Sequence, residues 1–515
     1  MIKLETDPFY FRWRQQDQQY SHNKNRGKLM KINGKLHIGG MYVSSSSTQY
    51  LTSINPATEE ILAEVDIADE TDVDAAINIA WSAFENWSEV DASDKGIILY
   101  RIADAIEHNS DVISELDCLD SGKPISDALL DVKAAADNFR YFAGMCDKIE
   151  GSLLPVSNDK MCITLNQPYG VIGAITAWNY PTFNACAKIA PILATGNSCV
   201  LKPAEETPLS ALKISEIISN VDGVPAGLVN VLNGPGDTTG RLVSEHARLP
   251  HISFTGSTNT GRELLRASAR SNIKSLTLEL GGKAPVIIFD DSNIPAACNA
   301  LAFSAFFNQG QTCTAATRAL VHESILEVVI ENLCSIVSKL TPGDPKDPLT
   351  TYGPIVSKQQ YEMIRGYIDR TMSSGHQPVA TTTALQMPQR GYYIAPHIFT
   401  NVPESSELFR DEIFGPVLII NSFKNEQEAI RIANSTKYGL AASLWTKDVF
   451  KAHKVSRKLN AGIVWTNTIF SEFPGAPTGG FGESGFGREF GKAAIEEYTQ
   501  LKTIWFGLDD RFTAW

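Results

Sequence analysis

The stretch Val171-Ile-Gly-Ala-Ile-Thr176, followed by Ala177-Trp-Asn-Tyr-Pro-Thr182, begins the region of the sequence that decides the fold. From residue 171 to residue 289, short β-prone runs alternate with longer amphipathic runs bounded by Gly, Pro or Asn. This alternation is typical of a parallel sheet covered by helices, so the sequence predicts a nucleotide-binding type of α/β region. The β-prone runs span residues 171–176, 198–202, 228–232, 251–254 and 275–278, and the amphipathic runs span 183–195, 208–221, 238–246 and 261–270.

Patterns on either side of this region predict further elements. Residues 75–87 and 93–113 repeat apolar side chains every three or four positions, which predicts surface helices. A second α/β alternation runs from residue 285 to about residue 465 and predicts a second domain. Residues 498–506 alternate as a strand does but have no obvious partner, which favours pairing with another subunit. The clearest helical patterns of the second domain lie at 295–307 and 426–434.

Length, composition and charge narrow the class of protein. A chain of 515 residues with 43% hydrophobic residues can bury a large core and is expected to form two or more domains. A net charge of -13 without a basic cluster argues against nucleic acid or an anionic membrane as a partner. Apolar runs stay shorter than the roughly 20 residues that a membrane-spanning helix needs. Residues 1–25 form a polar arm without the features of a signal peptide, so we expect a cytoplasmic location.

The cysteine and histidine patterns give little support to a metal site. The eight cysteines form no CxxC pair, and the nine histidines form no closely spaced pair typical of zinc ligands. Most of the cysteines stand in apolar stretches, where a packed, reduced thiol is the usual state. Only Cys313 has a sequence context that favours chemistry.

The context of Cys313 is Phe306-Phe-Asn-Gln-Gly-Gln-Thr-Cys-Thr314, which follows a predicted helix. The glycine and small polar residues allow backbone N–H groups to point towards the sulfur. An ordinary thiol is only slightly ionised at neutral pH, so a nucleophilic cysteine needs such stabilisation of its thiolate.

Two further polar residues follow predicted strands. Glu279 lies in Leu276-Thr-Leu-Glu-Leu-Gly-Gly-Lys283, where apolar neighbours would raise a carboxyl pKa and favour a general base; a paired structural glutamate is the alternative. Asn179 lies in the loop after the first strand, where ligands bind in such folds, and its amide is a candidate oxyanion donor. A helix cap or turn is the alternative reading of this asparagine.

Six separated motifs between residues 178 and 488 resemble those of the aldehyde dehydrogenase superfamily, and the resemblance extends over residues 53–503. One motif alone would be weak, but six in one chain make chance agreement negligible. The motifs are Trp178-Asn-Tyr-Pro181, Phe254-Thr-Gly-Ser-Thr258 with Gly261, Leu278-Glu-Leu-Gly-Gly282, Gly310-Gln-Thr-Cys313, Glu412-Ile-Phe-Gly-Pro416 and Ser484-Gly-Phe-Gly-Arg488.

The resemblance implies oxidation of an aldehyde to a carboxylate with NAD. It makes Cys313 the nucleophile that forms a thiohemiacetal and then a thioester, and Glu279 the base that activates the hydrolytic water. Asn179 and the backbone N–H of Cys313 would bind the oxyanion. Lys188 and Glu489 match a second buried pair, either a proton relay or a structural ion pair.

The resemblance also implies a set of cofactor residues. Lys202 and Glu205 would hold the adenosine ribose, and a carboxylate at Glu205 would favour NAD over NADP. Gly256, Ser257 and Gly261 would bring the pyrophosphate close to a helix start. The other implied cofactor residues are Thr176, Trp178, Leu280, Glu412 and Phe414.

The substrate pocket departs from the family pattern, because Thr478 replaces an aromatic residue and Gly482 replaces a lysine. The chain resembles the betaine aldehyde and aminoaldehyde branch most, yet of the aromatic box for a trimethylammonium group only Tyr180 and Phe307 remain. Asp131 and Glu472 are expected near the pocket wall. There they would hold an amine-bearing aldehyde, unless they are solvated surface residues.

The fold expected from the resemblance is a Rossmann-type nucleotide-binding domain, an α/β catalytic domain and a small β oligomerisation element that makes homodimers or homotetramers. A CoA-acylating relative and a catalytically silent structural protein are the alternatives, and the presence of Glu279 and Cys313 argues against each. The predicted divisions are 1–148 (first part of the NAD-binding domain, with the polar arm), 149–169 (oligomerisation hairpin), 170–281 (second part of the NAD-binding domain), 282–491 (catalytic domain) and 492–515 (C-terminal strand and tail).

Overall fold

A computed structural model of the chain describes residues 32–379, 385–471 and 473–509. Its strands fall into two large sheets and three small ones. The strands are β1 Leu36–Ile38, β2 Met41–Val43, β3 Tyr50–Ile54, β4 Ile61–Asp66, β5 Ser152–Leu154, β6 Lys160–Pro168, β7 Val171–Ile175, β8 Ser198–Lys202, β9 Val229–Val231, β10 His251–Thr255, β11 Ser275–Glu279, β12 Ala284–Ile288, β13 Ala316–His322, β14 His397–Thr400, β15 Val417–Phe423, β16 Tyr438–Gly439, β17 Ala441–Trp445, β18 Ile463–Thr466, β19 Phe481–Gly482, β20 Gly485–Phe486 and β21 Thr499–Gly507.

The helices cover the faces of the two large sheets. They are α1 Glu70–Ser88, α2 Ala92–His108, α3 Ser110–Ser121, α4 Ile125–Ala143, α5 Pro181–Ala194, α6 Leu209–Ser219, α7 Arg241–Glu245, α8 Thr258–Arg270, α9 Ile294–Phe306, α10 Leu326–Val337, α11 Lys358–Ser373, α12 Glu407–Arg410, α13 Glu426–Ala433, α14 Val449–Ser456 and α15 Ala493–Glu497.

The first large sheet has the strand order β2-β1-β9-β8-β7-β10-β11-β20. Its five central strands, β9 to β11, are parallel, whereas β1 and β20 pair antiparallel at the two ends. Every residue of β7 and of β8 is buried, as a strand covered on both faces requires. The predicted alternation from residue 171 onward is confirmed, and the carboxyl ends of these strands share one edge.

The second large sheet, β14-β15-β13-β12-β17-β18, is parallel throughout, which confirms the second α/β unit. Helices α9 and α13 match the predicted 295–307 and 426–434 closely.

Two helix predictions need correction in detail. The sequence predicted a single helix over 93–113. Two helices occupy this range, because α2 ends at His108 and Asn109 separates it from α3, which begins at Ser110. Residues 236–240 form a π-helical turn, so the helix predicted at 238–246 is reduced to α7. Neither change moves a residue that the sequence placed in the candidate site.

The sequence pattern of residues 498–506 indicated no obvious partner, but the C-terminal strand has one in its own chain. Strand β21 pairs antiparallel with β6 over nine residues, from Thr499 opposite Pro168 to Gly507 opposite Lys160, and β5 completes a three-stranded sheet. The paired residues are 331 to 347 positions apart, so the local pattern could not reveal this partner. Within the described part of the chain, no helix is long and apolar enough to cross a membrane.

Candidate active site

Three loops from the two large sheets meet at Cys313. Asn179 lies between β7 and α5, Glu279 is the last residue of β11, and Cys313 precedes β13. The side-chain amide of Asn179 donates to the carbonyl oxygen of Gln311, with 3.0 Å between nitrogen and oxygen. A Cβ atom added at Gly282 would lie 2.5 Å from the carbonyl oxygen of Cys313. The segments that carry the three residues predicted to be catalytic are therefore in contact, and we call Cys313, Glu279 and Asn179 the reaction centre.

The chain reaches Cys313 through an unusual backbone. Asn308, Gln309 and Gly310 all have positive φ, at 48°, 56° and 71°. A Cβ atom at Gly310 would overlap the carbonyl oxygen of Gly415, so only glycine fits there. This reversal after α9 presents the half-buried Cys313 to the shared edge of the sheets.

Two further asparagines hold Asn179 in place. The side-chain amide of Asn308 donates to the backbone carbonyl of Asn179 at 3.0 Å, and that of Asn184 donates to its side-chain oxygen at 3.3 Å. The NH2 group of Asn179 is thereby turned towards the Cys313 loop. It carries two N–H groups, so one remains for an oxyanion after the bond to Gln311. The helix-cap reading of Asn179 is not supported, because α5 has no side-chain cap.

Glu279 is a buried carboxylate with an unusual charge environment. Its side chain is 7% exposed, and its Oε1 atom has no hydrogen-bond partner among the described residues. Burial raises the pKa of Glu279 well above the usual value; the nearby Glu489 carboxylate raises it further, and Lys188 opposes them. A raised pKa makes the ionised carboxylate a stronger proton acceptor than an exposed carboxylate.

The predicted pair Lys188 and Glu489 forms a buried ion pair. The Lys188 Nζ also donates to Ser253 Oγ at 2.9 Å, and the Tyr498 hydroxyl donates to the same oxygen at 2.9 Å. This network lies beside Glu279 and anchors the segment just before β21. Ser253 and Tyr498 were not predicted as site residues, because neither lies in one of the motifs.

The residues predicted to hold the adenosine ribose lie together at the carboxyl end of β8. Lys202 is its last residue and is 4% exposed. The exposed Glu205 carboxylate accepts from the backbone N–H of Gly236 at 2.9 Å. Thr176 follows β7, and its N–H donates to the carbonyl of Lys202 at 3.1 Å.

The motif around Gly256 leads into the N-terminus of helix α8. Ser257 caps α8 by accepting from the N–H of Thr260 at 3.1 Å. A Cβ atom at Gly261 would lie 2.9 Å from the Leu280 side chain, so glycine allows α8 to pack against the loop after β11. Helix α8 begins after the carboxyl end of β10, at the edge that the parallel strands of the first large sheet share. The free N–H groups at the start of a helix favour a phosphate there.

The loop after β11 also receives Glu412. Its carboxylate accepts from the N–H of Gly282 at 2.8 Å, and a Cβ atom at Gly281 would overlap it. Burial raises the pKa of Glu412 to about 7, against the pull of the Gly282 N–H. Phe414 has a φ of 54° and stacks edge-on with Trp178 at 5.1 Å between ring centroids. We call Lys202, Glu205, the start of α8 and Glu412 the cofactor edge.

Aromatic rings collect on the other side of the Cys313 loop. Phe307 contacts Phe303 and Phe470, with ring centroids 4.9 Å and 6.5 Å apart. The Tyr180 hydroxyl lies 2.7 Å from Thr312 Oγ1. Phe303 and Phe470 were missed in the sequence, although Phe303 stands one helical turn before Phe307 and could have been found by that spacing.

The two residues that depart from the family pattern, Thr478 and Gly482, both lie in segments whose backbone pairs with another segment. Thr478 and Glu489 exchange two backbone hydrogen bonds of 2.8 Å. Gly482 has a φ of 57°, and the following Glu483 forms ion pairs with Lys437 and Arg262.

Asp131 does not offer a free carboxylate to a substrate amine. It forms an ion pair with Lys123, whose side chain is fully buried. The prediction that Asp131 binds a substrate amine depended on a negative charge without a partner. In the structure, Lys123 compensates this charge. Glu472 lies outside the described residues. Within those residues, no group of three His, Cys, Asp or Glu side chains could hold a metal ion.

Comparison with known proteins agrees with this arrangement. Residues 42–504 match the aldehyde dehydrogenase family. The chain belongs to this family. It is 42% identical over 473 residues to aldehyde dehydrogenase 1 of Tanacetum cinerariifolium, covering 91% of this chain and 94% of that protein. It is 40% identical to aldehyde dehydrogenase [NAD(P)+] 2 of Saccharomyces cerevisiae, covering 91% of this chain and 94% of that protein.

Solved structures of aldehyde dehydrogenases share the fold. The indole-3-acetaldehyde dehydrogenase of P. syringae, solved as a mutant with NAD+, has a TM-score of 0.91 at 37% identity and covers 96% of this chain and 99% of its own. The Bacillus cereus aldehyde dehydrogenase has a TM-score of 0.90 at 38% identity, covering 93% of this chain and 97% of its own. The predicted family, fold class and enzyme class are confirmed, and the NAD+ in the first structure agrees with the predicted cofactor.

Proposed function

We propose that this aldehyde dehydrogenase oxidises an aldehyde to a carboxylate with NAD, through a thioester on Cys313. The observation that carries the proposal is that the Asn179 amide binds the backbone carbonyl of Gln311, two residues before Cys313, while Gly282, in the loop after the buried Glu279, packs against the Cys313 backbone. A nucleophile, an oxyanion donor and a base with a raised pKa are the groups that acyl transfer to water requires.

The residues act in two stages. The Cys313 sulfur adds to the carbonyl carbon, and the charge that develops on the carbonyl oxygen is stabilised by the second N–H of Asn179. Bound NAD supplies the hydride acceptor for the oxidation. In the second stage Glu279 takes a proton from a water whose oxygen attacks the thioester carbon. The C–S bond then breaks, leaving the Cys313 thiolate and a carboxylic acid, which loses its remaining proton to solvent and becomes the carboxylate.

The donor set of the cofactor edge fits a dinucleotide. Lys202 and Glu205 at one strand end match the two hydroxyls of a ribose, the start of α8 suits a pyrophosphate, and Glu412 can accept from a second ribose. The Glu205 carboxylate would repel a 2'-phosphate, so we propose a preference for NAD over NADP.

We propose a neutral, apolar aldehyde as the substrate in preference to a cationic one. The Phe303, Phe307 and Phe470 cluster supports this class, and the charge of Asp131 is already balanced by Lys123. The amino- and betaine-type aldehydes are the second class, favoured only by the presence of Tyr180.

The test is an aldehyde panel with NADH formation as the readout. Betaine aldehyde and 3,3-dimethylbutanal form a matched pair, because they share a shape and differ in one positive charge. We expect a higher kcat/KM for the neutral member; a higher value for the cationic member would overturn the substrate class. The product must be free acid without CoA, and Cys313→Ser must abolish turnover and the trapping of a labelled acyl group. Full activity in that variant would refute the thioester.

The three-stranded sheet of β5, β6 and β21 supports a proposed homodimer or homotetramer. Its strands carry large exposed apolar side chains, among them Leu153, Leu501 and Trp505, which are 71%, 68% and 58% exposed. Such a surface is typical of an interface between subunits.

None of the eight cysteines, all within the described residues, forms a disulfide, and this supports a reducing, cytoplasmic location.

The domain divisions also remain a proposal. Strands β1 and β2 join the same sheet as β7 to β11, which supports one nucleotide-binding domain made from 1–148 and 170–281. Strands β5, β6 and β21 support the element made from 149–169 and 492–515. Strand β20 crosses from the proposed catalytic stretch, 282–491, into the nucleotide-binding sheet.

A further inference from the structure

The two residues before Cys313 are attached to two consecutive residues of one other loop. Gln311 receives the Asn179 amide through its carbonyl oxygen. Thr312 is attached through its side chain, whose Oγ1 lies 2.7 Å from the Tyr180 hydroxyl. Thr312 is only 8% exposed, so water competes poorly for this bond. The Cys313 loop thus has a second attachment, which the proposed mechanism does not use.

A buried lysine, Lys123, contacts one face of the Tyr180 ring. The Lys123 Nζ lies 3.8 Å from the ring centroid, and the Lys123 side chain is fully buried. A cation over an aromatic face is attracted more strongly when both are removed from water. Asp131 pairs with Lys123 and compensates its charge, so the ammonium can remain buried beneath the ring.

We propose that Lys123, Tyr180 and Thr312 form a positioning chain that fixes the backbone next to Cys313 in its reactive arrangement. Lys123 holds the ring, the ring places the hydroxyl, and the hydroxyl holds Thr312. Asp131 belongs to this chain as the counter-charge of Lys123. The proposal rests on the proposed role of Cys313 as nucleophile, since a loop that moves by a fraction of an ångström presents the sulfur less often in the right place.

The direct test is the alkylation rate of Cys313 by iodoacetamide between pH 6 and 9, without aldehyde or NAD. This readout does not depend on substrate binding, in which Tyr180 would also take part. Cys334 is also partly exposed, so the modified peptide must be identified and Cys313→Ser used as the blank. Thermal unfolding of each variant checks that it is folded.

Tyr180→Phe keeps the ring and removes the hydroxyl, Thr312→Val removes the other partner at nearly constant shape, and Thr312→Ser keeps a hydroxyl. We expect the first two to slow alkylation about 3- to 10-fold each, the double variant to be no slower than either, and Thr312→Ser to restore the rate to within about twofold. Unchanged rates in both single variants, or fully additive losses in the double variant, would overturn the proposal.

The role of Lys123 is tested with Lys123→Met combined with Asp131→Asn, which removes both charges of this ion pair. The buried carboxyl group of Asp117, whose pKa is raised by burial and lowered by Lys123, is the same in both backgrounds compared. We expect this pair of changes to slow alkylation in the native sequence and to add nothing in the Tyr180→Phe background. An equal loss in both backgrounds would show that Lys123 does not act through the Tyr180 hydroxyl, which overturns its place in the chain.

The two proposals fail in different ways. Aldehyde oxidation that survives Cys313→Ser would refute the thioester, whatever the alkylation rates are. Loss of activity in Cys313→Ser together with alkylation rates that Tyr180→Phe and Thr312→Val leave unchanged would refute the positioning chain alone.

Discussion

The cofactor edge and the reaction centre lie at the same edge of the molecule but are assembled in different ways. Along the cofactor edge, Lys202 ends its own strand and Ser257 caps the helix that follows its own strand. At the reaction centre, Asn179 and Cys313 are 134 positions apart, and the contacts between their loops are made by side chains. Apart from Glu412, which binds Gly282 across 130 positions of sequence, the cofactor edge is therefore a local product of strand-loop-helix units, whereas the reaction centre depends on contacts between distant loops.

The difference predicts how each region responds to substitution. A change at the cofactor edge should act on one local contact and alter affinity or cofactor choice by modest factors. A change at the reaction centre removes a group on which the others depend, and should act on turnover by large factors.

Glu279→Gln should have the largest effect, because it removes the proton acceptor of the hydrolytic step. We expect kcat to fall by about 10²- to 10⁴-fold, with a burst of about one NADH per site as the thioester accumulates. The remaining rate should also lose its rise with pH, since only the ionised carboxylate can act as the base. A variant with unchanged steady-state turnover would show that another group activates the water.

Asn179→Ala should lower kcat/KM by about 100-fold or more, as removal of an oxyanion donor does. Asn184→Ala removes a contact that orients the Asn179 amide, together with a bond to the Ala177 carbonyl, and leaves the oxyanion donor in place, so its effect should be smaller and in the same direction. Steady-state kinetics with one aldehyde measures both. An Asn184→Ala loss as large as that of Asn179→Ala would contradict the assigned order of contact.

Glu205→Gln should change the choice of cofactor and leave the chemical step alone. Removal of the negative charge should improve kcat/KM for NADP relative to NAD by about tenfold, since two charges some 5 Å apart near the surface interact by a few kcal/mol at most. Glu263→Gln, an exposed position on α8 with an ion pair to Arg266, is the control for net charge. An unchanged NADP to NAD ratio would remove Glu205 from the ribose site.

Glu412→Gln should have the smallest effect on affinity and a clear effect on its pH dependence. The pKa of Glu412 is about 7, so the carboxylate is mostly protonated below this pH and ionised above it. Because the ionised form accepts hydrogen bonds from a ribose, NAD should bind more tightly as the pH rises through about 7. The glutamine variant should lose this dependence, and a titration of Kd against pH measures it.

The sequence was most informative where structure is local. The alternation from residue 171, the glycines at 281 and 282 and the polar residues at strand ends predicted the first sheet and the cofactor edge, because each depends on neighbours within one strand-loop-helix unit. It was less informative about the helix over 93–113 and the strand over 498–506. Their outcomes depend on a break at Asn109 and on pairing with β6, which is far away in sequence.

By itself, the sequence determined the two α/β units and the family, and it predicted Cys313, Glu279 and Asn179 as the catalytic residues, since motifs and strand ends are contained in short stretches. Only the tertiary structure decided how these residues are held. It placed Asn184 and Asn308 around Asn179, set Tyr180 against Thr312, and turned Asp131 from a candidate substrate contact into the partner of Lys123. The physical reason is that a side chain's hydrogen bonds and its charge balance depend on groups from distant segments, which meet only when the core closes.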